Sequence, residues 1–412
     1  MKIAVDRVRE GLEDLARFGG TPGEGVSRLV FSPADLLGRA YVKERMKGAG
    51  LNVSEDAIGN IFGTLPGTEP ELAPVWTGSH IDTVLRGGRF DGMAGTIGAI
   101  EALRAIGEAG APHRRTLTAV AYTGEEPSVF GIGCLGSRAM AGVLDLETAK
   151  AVKNEAGKSL YDTLAELGYD VDRLDAVRRK PGDVYAAIEM HIEQGPKLER
   201  SGCRLGVVTD ISAPAYFNVW VEGLQSHAGG TSMADRRDAF AATAEISMVL
   251  ERLVKEAKSV YATGTIGRVD VTPNALNVIP GRVHFTIDIR NTSDGSTGEI
   301  LAALSEEMKR IERERGVKVR MQTINRDLPV HCEDGMQDLL AGICERRGIP
   351  FKRLISGAFH DSMFVGAFAP ISMLFLPSRD GVSHCPEEWT SYEDVALGAE
   401  VLAEALLVKA NE

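Results

Sequence analysis

The chain has 412 residues, of which 44% are hydrophobic and 25% charged, enough apolar material for two or three packed domains and too much for a disordered polypeptide. Its 46 basic residues against 58 acidic ones leave a net charge of −12; with no long basic run, the composition excludes non-specific nucleic-acid binding, which needs Lys and Arg to displace counterions. No stretch approaches the ~18 apolar residues of a membrane span. Five scattered cysteines without a CxxC pair argue against a disulfide framework and for the cytoplasm.

In chain order, residues 1–17 mix charges with apolar positions and predict an amphipathic helix; a signal peptide needs an uninterrupted apolar stretch. Ser32-Pro33 is a helix start, with Ser32 as N-cap and Pro33 at the first helical position. From Pro74 strands and helices alternate: a strand over 75–78, a helix over 92–108, a strand over 116–122, a polar helical excursion over 143–180 and a strand over 184–190. Such alternation predicts an α/β domain with a mostly parallel sheet and helices on both faces. The character changes near residue 210. Strands over 215–221, 260–271, 282–290 and 317–324, with helices over 233–258 and 298–315, give a β-α-β-β-α-β order. That order predicts a smaller α+β, ferredoxin-like domain over 210–325, inserted into a first domain made of 1–209 and 326–412. The closing part holds a helix over 336–347, a strand over 371–376 and a helix over 391–410.

The chemistry concentrates just beyond the apolar strands. His80 lies in Gly-Ser-His-Ile-Asp-Thr, Asp91 in Gly-Gly-Arg-Phe-Asp-Gly, Glu125 and Glu126 follow a strand, His191 opens His-Ile-Glu-Gln-Gly, and His384 lies in Asp-Gly-Val-Ser-His. In an open parallel sheet the carboxyl edge is where ligands bind. Three imidazoles with carboxylates are donors that zinc, cobalt or manganese accept. Asp82, two residues after His80, is placed to hold the second nitrogen of that imidazole. Asp91 is suited to bridge two cations, and such a pair could activate water. Glu125 and Glu126 face opposite ways in an extended chain, so one can bind metal while the other serves as general base. Taken singly, each residue has a plainer reading: a hydrogen-bonded structural histidine, a solvated turn, a hairpin glycine pair. Joint placement is what favours the site.

Together the strings G-S-H-I-D-T-V, G-G-R-F-D-G, the Glu-Glu turn, H-I-E-Q-G-P, S-H-A-G-G-T, N-V-I-P-G with D-I-R, and S-R-D-G-V-S-H resemble the amidase/hydantoinase/carbamoylase family. That family comprises N-carbamoyl-L-amino acid hydrolases, β-ureidopropionases and allantoate amidohydrolases, within the dinuclear-zinc aminoacylase and carboxypeptidase superfamily. The resemblance runs from about residue 75 to residue 390 in the family's order. It implies that His80, Asp91 and His191 hold one metal ion and that Asp91, Glu126 and His384 hold the other. Glu125 would be the general acid/base and Asp82 the support of His80. Arg290 and Asn277 would bind a substrate carboxylate, with Gln194 also at the substrate, and His227 and His360 would polarise the scissile carbonyl. Two divalent ions are implied, zinc first, with manganese, cobalt or nickel as the other candidates. So is a homodimer formed through the inserted domain, which would act as a lid over a small carboxylate substrate.

Without the family, Arg290 reads as an exposed strand-end charge, Asn277 as a turn residue before Pro280, Gln194 as a turn hydrogen bond, His227 as a loop cap and His360 as a helix cap. His113, His284 and His331 take no role. Two positions depart from the family pattern. Pro127-Ser128-Val129 follows the Glu-Glu pair where an Arg is usual, and Phe359 precedes His360 where Gly is usual. Both sit near where substrate should lie. The expected reaction is hydrolysis of a non-peptide C–N bond, with an N-carbamoyl-L-amino acid as first substrate. Allantoate, N-acyl-amino acids or small dipeptides are the alternatives, and a non-catalytic metal-binding module is the rival of a different kind.

Overall fold

A computed structural model describes residues 1–412. The chain divides into two compact units, one of residues 1–209, 332–356 and 360–412, the other of 210–331 with 357–359.

The first unit is built on a mixed sheet. Four strands at its centre, Ile371–Leu376, Ala186–Ile192, Val75–His80 and Leu117–Tyr122, run parallel in that spatial order. Every residue of these four is buried, the continuous apolar pattern expected when both faces of a sheet are covered. The flanks are antiparallel. Leu205–Ile211 pairs with Ile371–Leu376 on one side, and Ile61–Leu65 then Asn52–Glu55 extend the other. The sheet is therefore mixed rather than mostly parallel. Asn52–Glu55 and Ile61–Leu65 form a hairpin whose turn is tied by Asp56, which accepts the N–H groups of Ile58 and Asn60. Such a short connection allows only antiparallel pairing.

Long helices cover one face. Val5–Arg17 buries Val8, Leu12 and Leu15 at helical spacing. Met93–Glu108 is buried over most of its length because small residues let it approach the sheet; a Cβ at Gly98 would stand 2.1 Å from the Met190 methyl. Tyr392–Asn411 packs beside it and shares its core. Leu135–Met140 and Ser362–Val365 lie on the opposite face, towards which Glu189 and His191 project. As predicted, Pro33–Gly48 starts at Ser32, whose hydroxyl accepts the Asp35 N–H.

The second unit has four antiparallel strands in the order Ala262–Thr272, Arg282–Asn291, Ala213–Glu222, Lys318–Arg326. Numbered along the chain this is 2-3-1-4, the β-α-β-β-α-β arrangement with both helices, Ala239–Lys255 and Asp294–Arg315, packed on one face. The first helix is shorter than its apolar spacing predicts. It begins at Ala239, where the Asp238 carboxylate accepts the N–H groups of Phe240 and Ala241, and Met233–Asp235 is a separate 3₁₀ turn. No helix of the chain is long and apolar enough to cross a membrane.

Candidate metal centre

His80 and His191 lie at the ends of the two adjacent strands where the sheet order reverses direction, the switch point at which α/β sheets open a crevice. Both imidazoles are 1% exposed. Each Nδ1–H donates to a backbone carbonyl, His80 to Asp82 at 3.0 Å and His191 to Ile192 at 2.9 Å. That fixes the tautomer and leaves both Nε2 lone pairs for a ligand. The sequence expectation gave this role to the Asp82 carboxylate; here the backbone carbonyl of the same residue fills it. The Asp82 carboxylate is 3.7 Å from His80 Nδ1 and instead accepts the backbone N–H groups of Glu125 (3.2 Å) and Glu126 (3.0 Å). Asp82 thus fastens the Glu-Glu turn to the strand beside it.

Asp91 lies between the imidazoles. Its Oδ1 is 3.2 Å from His191 Nε2 and its Oδ2 3.0 Å from His384 Nε2, while Glu126 Oε1 is 3.3 Å from His384 Nε2. Two sets of donor atoms therefore converge, His80–Asp91–His191 and Asp91–Glu126–His384, with Asp91 common to both. Asp91 Oδ1 and His191 Nε2 are buried without an aligned hydrogen-bond partner. Orphaned buried polar atoms of this kind are rare unless an ion satisfies them, so the residues fit a pair of divalent cations. Glycine at 92 is required: with φ +70°, a Cβ there would stand 2.4 Å from His80 Nε2.

Charge and burial pull these groups in opposite directions. Burial drives His80 down to about 4. Burial acts on His191 in the same sense, but the Asp91 carboxylate, 3.2 Å from its Nε2, carries it up to about 9. His384 is raised to about 9 by its Asp91 hydrogen bond. Burial, then Asp91, lifts Glu126 to about 8. Burial, with the carboxylates of Glu126, Asp361, Asp91 and Asp82, raises Glu125 well above the usual range. Glu125 Oε2 is 3.8 Å from His80 Nε2.

Gln194 donates from Nε2 to Asp91 Oδ2 at 3.1 Å, and both Gln194 (φ +55°) and His384 (φ +59°) adopt left-handed backbone conformations. Non-glycine residues accept these reluctantly, and they cluster at functional sites. His360 is 1% exposed; its ring packs edge-on against His191 at 4.5 Å, and its Nε2 meets Ser356 Oγ at 2.8 Å.

The remaining three candidates belong to the second unit. His227 is exposed in the two-residue strand Ser226–His227, which pairs with Val278–Ile279. Its Nδ1 accepts the N–H groups of Gly229 and Gly230, both at 3.0 Å, so the proton sits on Nε2 as a free donor. Asn277, also exposed, receives the Ala228 N–H on its carbonyl. The Arg290 guanidinium donates to Asp288, to the Gly357 carbonyl at 3.2 Å and to the Tyr216 hydroxyl at 3.3 Å.

Two buried carboxylates at the centre escape sequence reasoning. Glu189 accepts Ser79 Oγ–H at 2.8 Å and both the N–H and Oγ–H of Ser362, tying the His191 strand to the segment after His360. It lies within ligand distance of His191 and His360, but its oxygens are already taken. The usable signal was a glutamate inside an apolar strand run, since a buried carboxylate must have partners. Glu388 accepts backbone N–H groups from the Asp91 segment and from His384. Its signal was a second Glu-Glu pair, three and four residues past a metal-type histidine.

A set of imidazoles and carboxylates, buried except for His384, on the carboxyl edge of an α/β sheet is the site of a metal-dependent hydrolase. Residues 76–408 match the model of peptidase family M20/M25/M40. A ureidoglycolate hydrolase of Oryza sativa subsp. japonica is 38% identical over 408 residues, covering 98% of this chain and 84% of that protein. An N-carbamoyl-L-amino acid amidohydrolase of Geobacillus stearothermophilus is 38% identical over 401 residues, covering 97% of each. The crystal structure of a hydantoinase/carbamoylase family amidase from Burkholderia multivorans superposes with a TM-score of 0.90 at 35% identity, covering 100% of this chain and 99% of that one. The chain belongs to peptidase family M20/M25/M40, among its hydantoinase/carbamoylase amidases, and is an amidohydrolase acting on C–N bonds.

Proposed function

We propose that the protein hydrolyses N-carbamoyl-L-amino acids to the amino acid, ammonia and carbon dioxide, using two divalent cations. The observation that carries this is the pair of donor sets sharing Asp91 with Glu125 beside them. The imidazole and carboxylate donors favour zinc, with manganese, cobalt or nickel able to replace it. When bound, the cations polarise the ureido carbonyl and make water a nucleophile near neutral pH. His80, Asp91 and His191 would hold one, and Asp91, Glu126 and His384 the other. Glu125 takes the proton of the attacking water and returns it to the nitrogen that leaves. Its burial, and its turn anchored on Asp82, hold that carboxylate at one position through both transfers.

We assign the substrate carboxylate to Arg290, whose planar fork suits bidentate binding, and to Asn277. His227 steadies the developing oxyanion; its Nε2–H, fixed by the two glycine N–H groups, supports this role. Gln194 and His360 line the substrate side. The second unit is assigned as lid and dimerisation domain of a homodimer, which the exposed edge strand Ala262–Thr272 supports. Five free thiols support the cytoplasm as its compartment.

Turnover of N-carbamoyl-L-amino acids, allantoate, ureidoglycolate, N-formyl and N-acetyl amino acids and dipeptides by the zinc-loaded protein tests the reading. Carbamoyl substrates are expected to give the highest kcat/KM. Faster allantoate, ureidoglycolate or acyl hydrolysis overturns the substrate, and no turnover of any of them favours a binding module.

A further inference from the structure

Asp91 and His384 stand nearly 300 residues apart in sequence, yet Asp91 Oδ2 and His384 Nε2 are 3.0 Å apart. One buried side chain joins the two segments that carry them. Glu388, 2% exposed, spends both carboxylate oxygens on this. Its Oε1 accepts the N–H groups of Phe90 (2.9 Å) and Asp91 (3.0 Å), and its Oε2 accepts the Ser383 hydroxyl (2.6 Å) and the His384 N–H (3.3 Å).

The surroundings leave this carboxylate no alternative position. A Cβ at Gly88 would lie 1.9 Å from Glu388 Oε1, so the glycine makes room for it. The next residue, Trp389, packs edge-on against Phe90 with ring centroids 5.1 Å apart, which fixes the backbone of 388 against the Asp91 segment. On the other oxygen, His384 is held by its own N–H in a left-handed conformation that L-residues adopt reluctantly.

We propose that Glu388 is a positioning residue that sets the distance between the shared carboxylate of Asp91 and His384, and so creates the second of the two cation sites. This rests on the reading of Asp91 as a ligand common to two ions. The first site, His80–Asp91–His191, has its two imidazoles anchored by backbone carbonyls and does not depend on Glu388 for them. Loss of Glu388 therefore weakens the two sites unequally.

The decisive variant is Glu388→Gln. A glutamine oxygen can still accept from Phe90 and Asp91, but its NH₂ then faces the His384 N–H, donor against donor. Binding of zinc to the metal-free protein, followed by competition with a chromophoric chelator, reads each Kd. The wild type is expected to bind two ions, and Glu388→Gln to keep the tighter one while the other weakens about 10- to 100-fold, the usual range for a group that orients a ligand. Its kcat should fall at limiting zinc and recover as zinc is raised, which a simple loss of stability would not produce. Should Glu388→Gln fail to fold, Ser383→Ala removes one bond to Oε2 and gives the same asymmetry at smaller size. Equal weakening of both ions, or none, in the variant that folds overturns the proposal while leaving the two-metal reading intact. A wild type that takes up fewer than two ions overturns that reading, and this proposal with it.

Discussion

The Asp82 carboxylate accepts the Glu126 backbone N–H at 3.0 Å, joining the loop after one parallel strand to the turn after its neighbour. A second bond, from Glu125 N–H, completes the clasp. Asp82→Asn puts an amide N–H against one of these donors, while His80 keeps its backbone partner. The expected outcome is a folded protein with two ions and a kcat lowered about 10- to 100-fold, because the general base is no longer held in register. Steady-state kinetics with metal analysis of the same sample checks this; an unchanged kcat would show that the clasp has no catalytic consequence.

Glu125→Gln removes the proton carrier and preserves shape. Turnover should fall by ~10²–10⁴, the usual contribution of general acid–base catalysis, with zinc content at the wild-type level. A variant of near-normal activity would mean that another group moves the proton.

Arg290→Ala is expected to raise KM for carboxylate substrates about 10- to 100-fold, the worth of a charge-assisted hydrogen bond, with less effect on kcat. Arg290→Lys should recover only part of the loss, since a lysine cannot reproduce the fork held by Asp288, Tyr216 and the Gly357 carbonyl. An amide analogue of the substrate lacking the carboxylate should show no difference between wild type and Arg290→Ala.

Removing the metals should invert the pH dependence of stability. In the metal-free protein His191 and His384 hold protons up to about 9, against an ordinary value of 6.5. Between those values the folded chain binds more protons than the unfolded one, so its stability is full at the lower pH and is lost as pH rises. Glu126, raised to about 8 from 4.5, acts in the same direction from lower pH upwards. The chelator-treated protein is therefore expected to melt lower at pH 9 than at pH 6.5. Zinc should reverse the trend, because protons compete with it for the same atoms. Thermal unfolding with and without zinc across that range measures both; a metal-free Tm that climbs with pH contradicts these proton assignments.

That His80, Asp91, Glu126, His191 and His384 gather at one edge of the sheet was legible, because reactive side chains past apolar runs or in the loops that follow are a pattern that sequence displays. Glu189 and Glu388 were not: a glutamate inside an apolar strand and a second Glu-Glu pair mark them, but the distant N–H groups they accept do not show in the local sequence. The roles of Asp82 were half legible: its proximity to His80 shows in the spacing, but only the fold reveals that its backbone serves the imidazole and its carboxylate serves the glutamates. The β-α-β-β-α-β order was visible in the alternating burial of strands such as Arg282–Asn291. The antiparallel flanks of the larger sheet were missed because a short exposed strand such as Asn52–Glu55 carries too weak a pattern to fix its direction.

The bonds from Phe90 and Asp91 to Glu388 span 298 and 297 residues, so the centre is assembled from segments far apart in the polypeptide. A ribosome must release the residues up to Glu388 before the last ligand can be held against the first. Contacts of such long range form late in folding. Nascent chains and chains truncated before His384 should thus be blind to the second ion, and its uptake can serve as a reporter that synthesis has passed this segment.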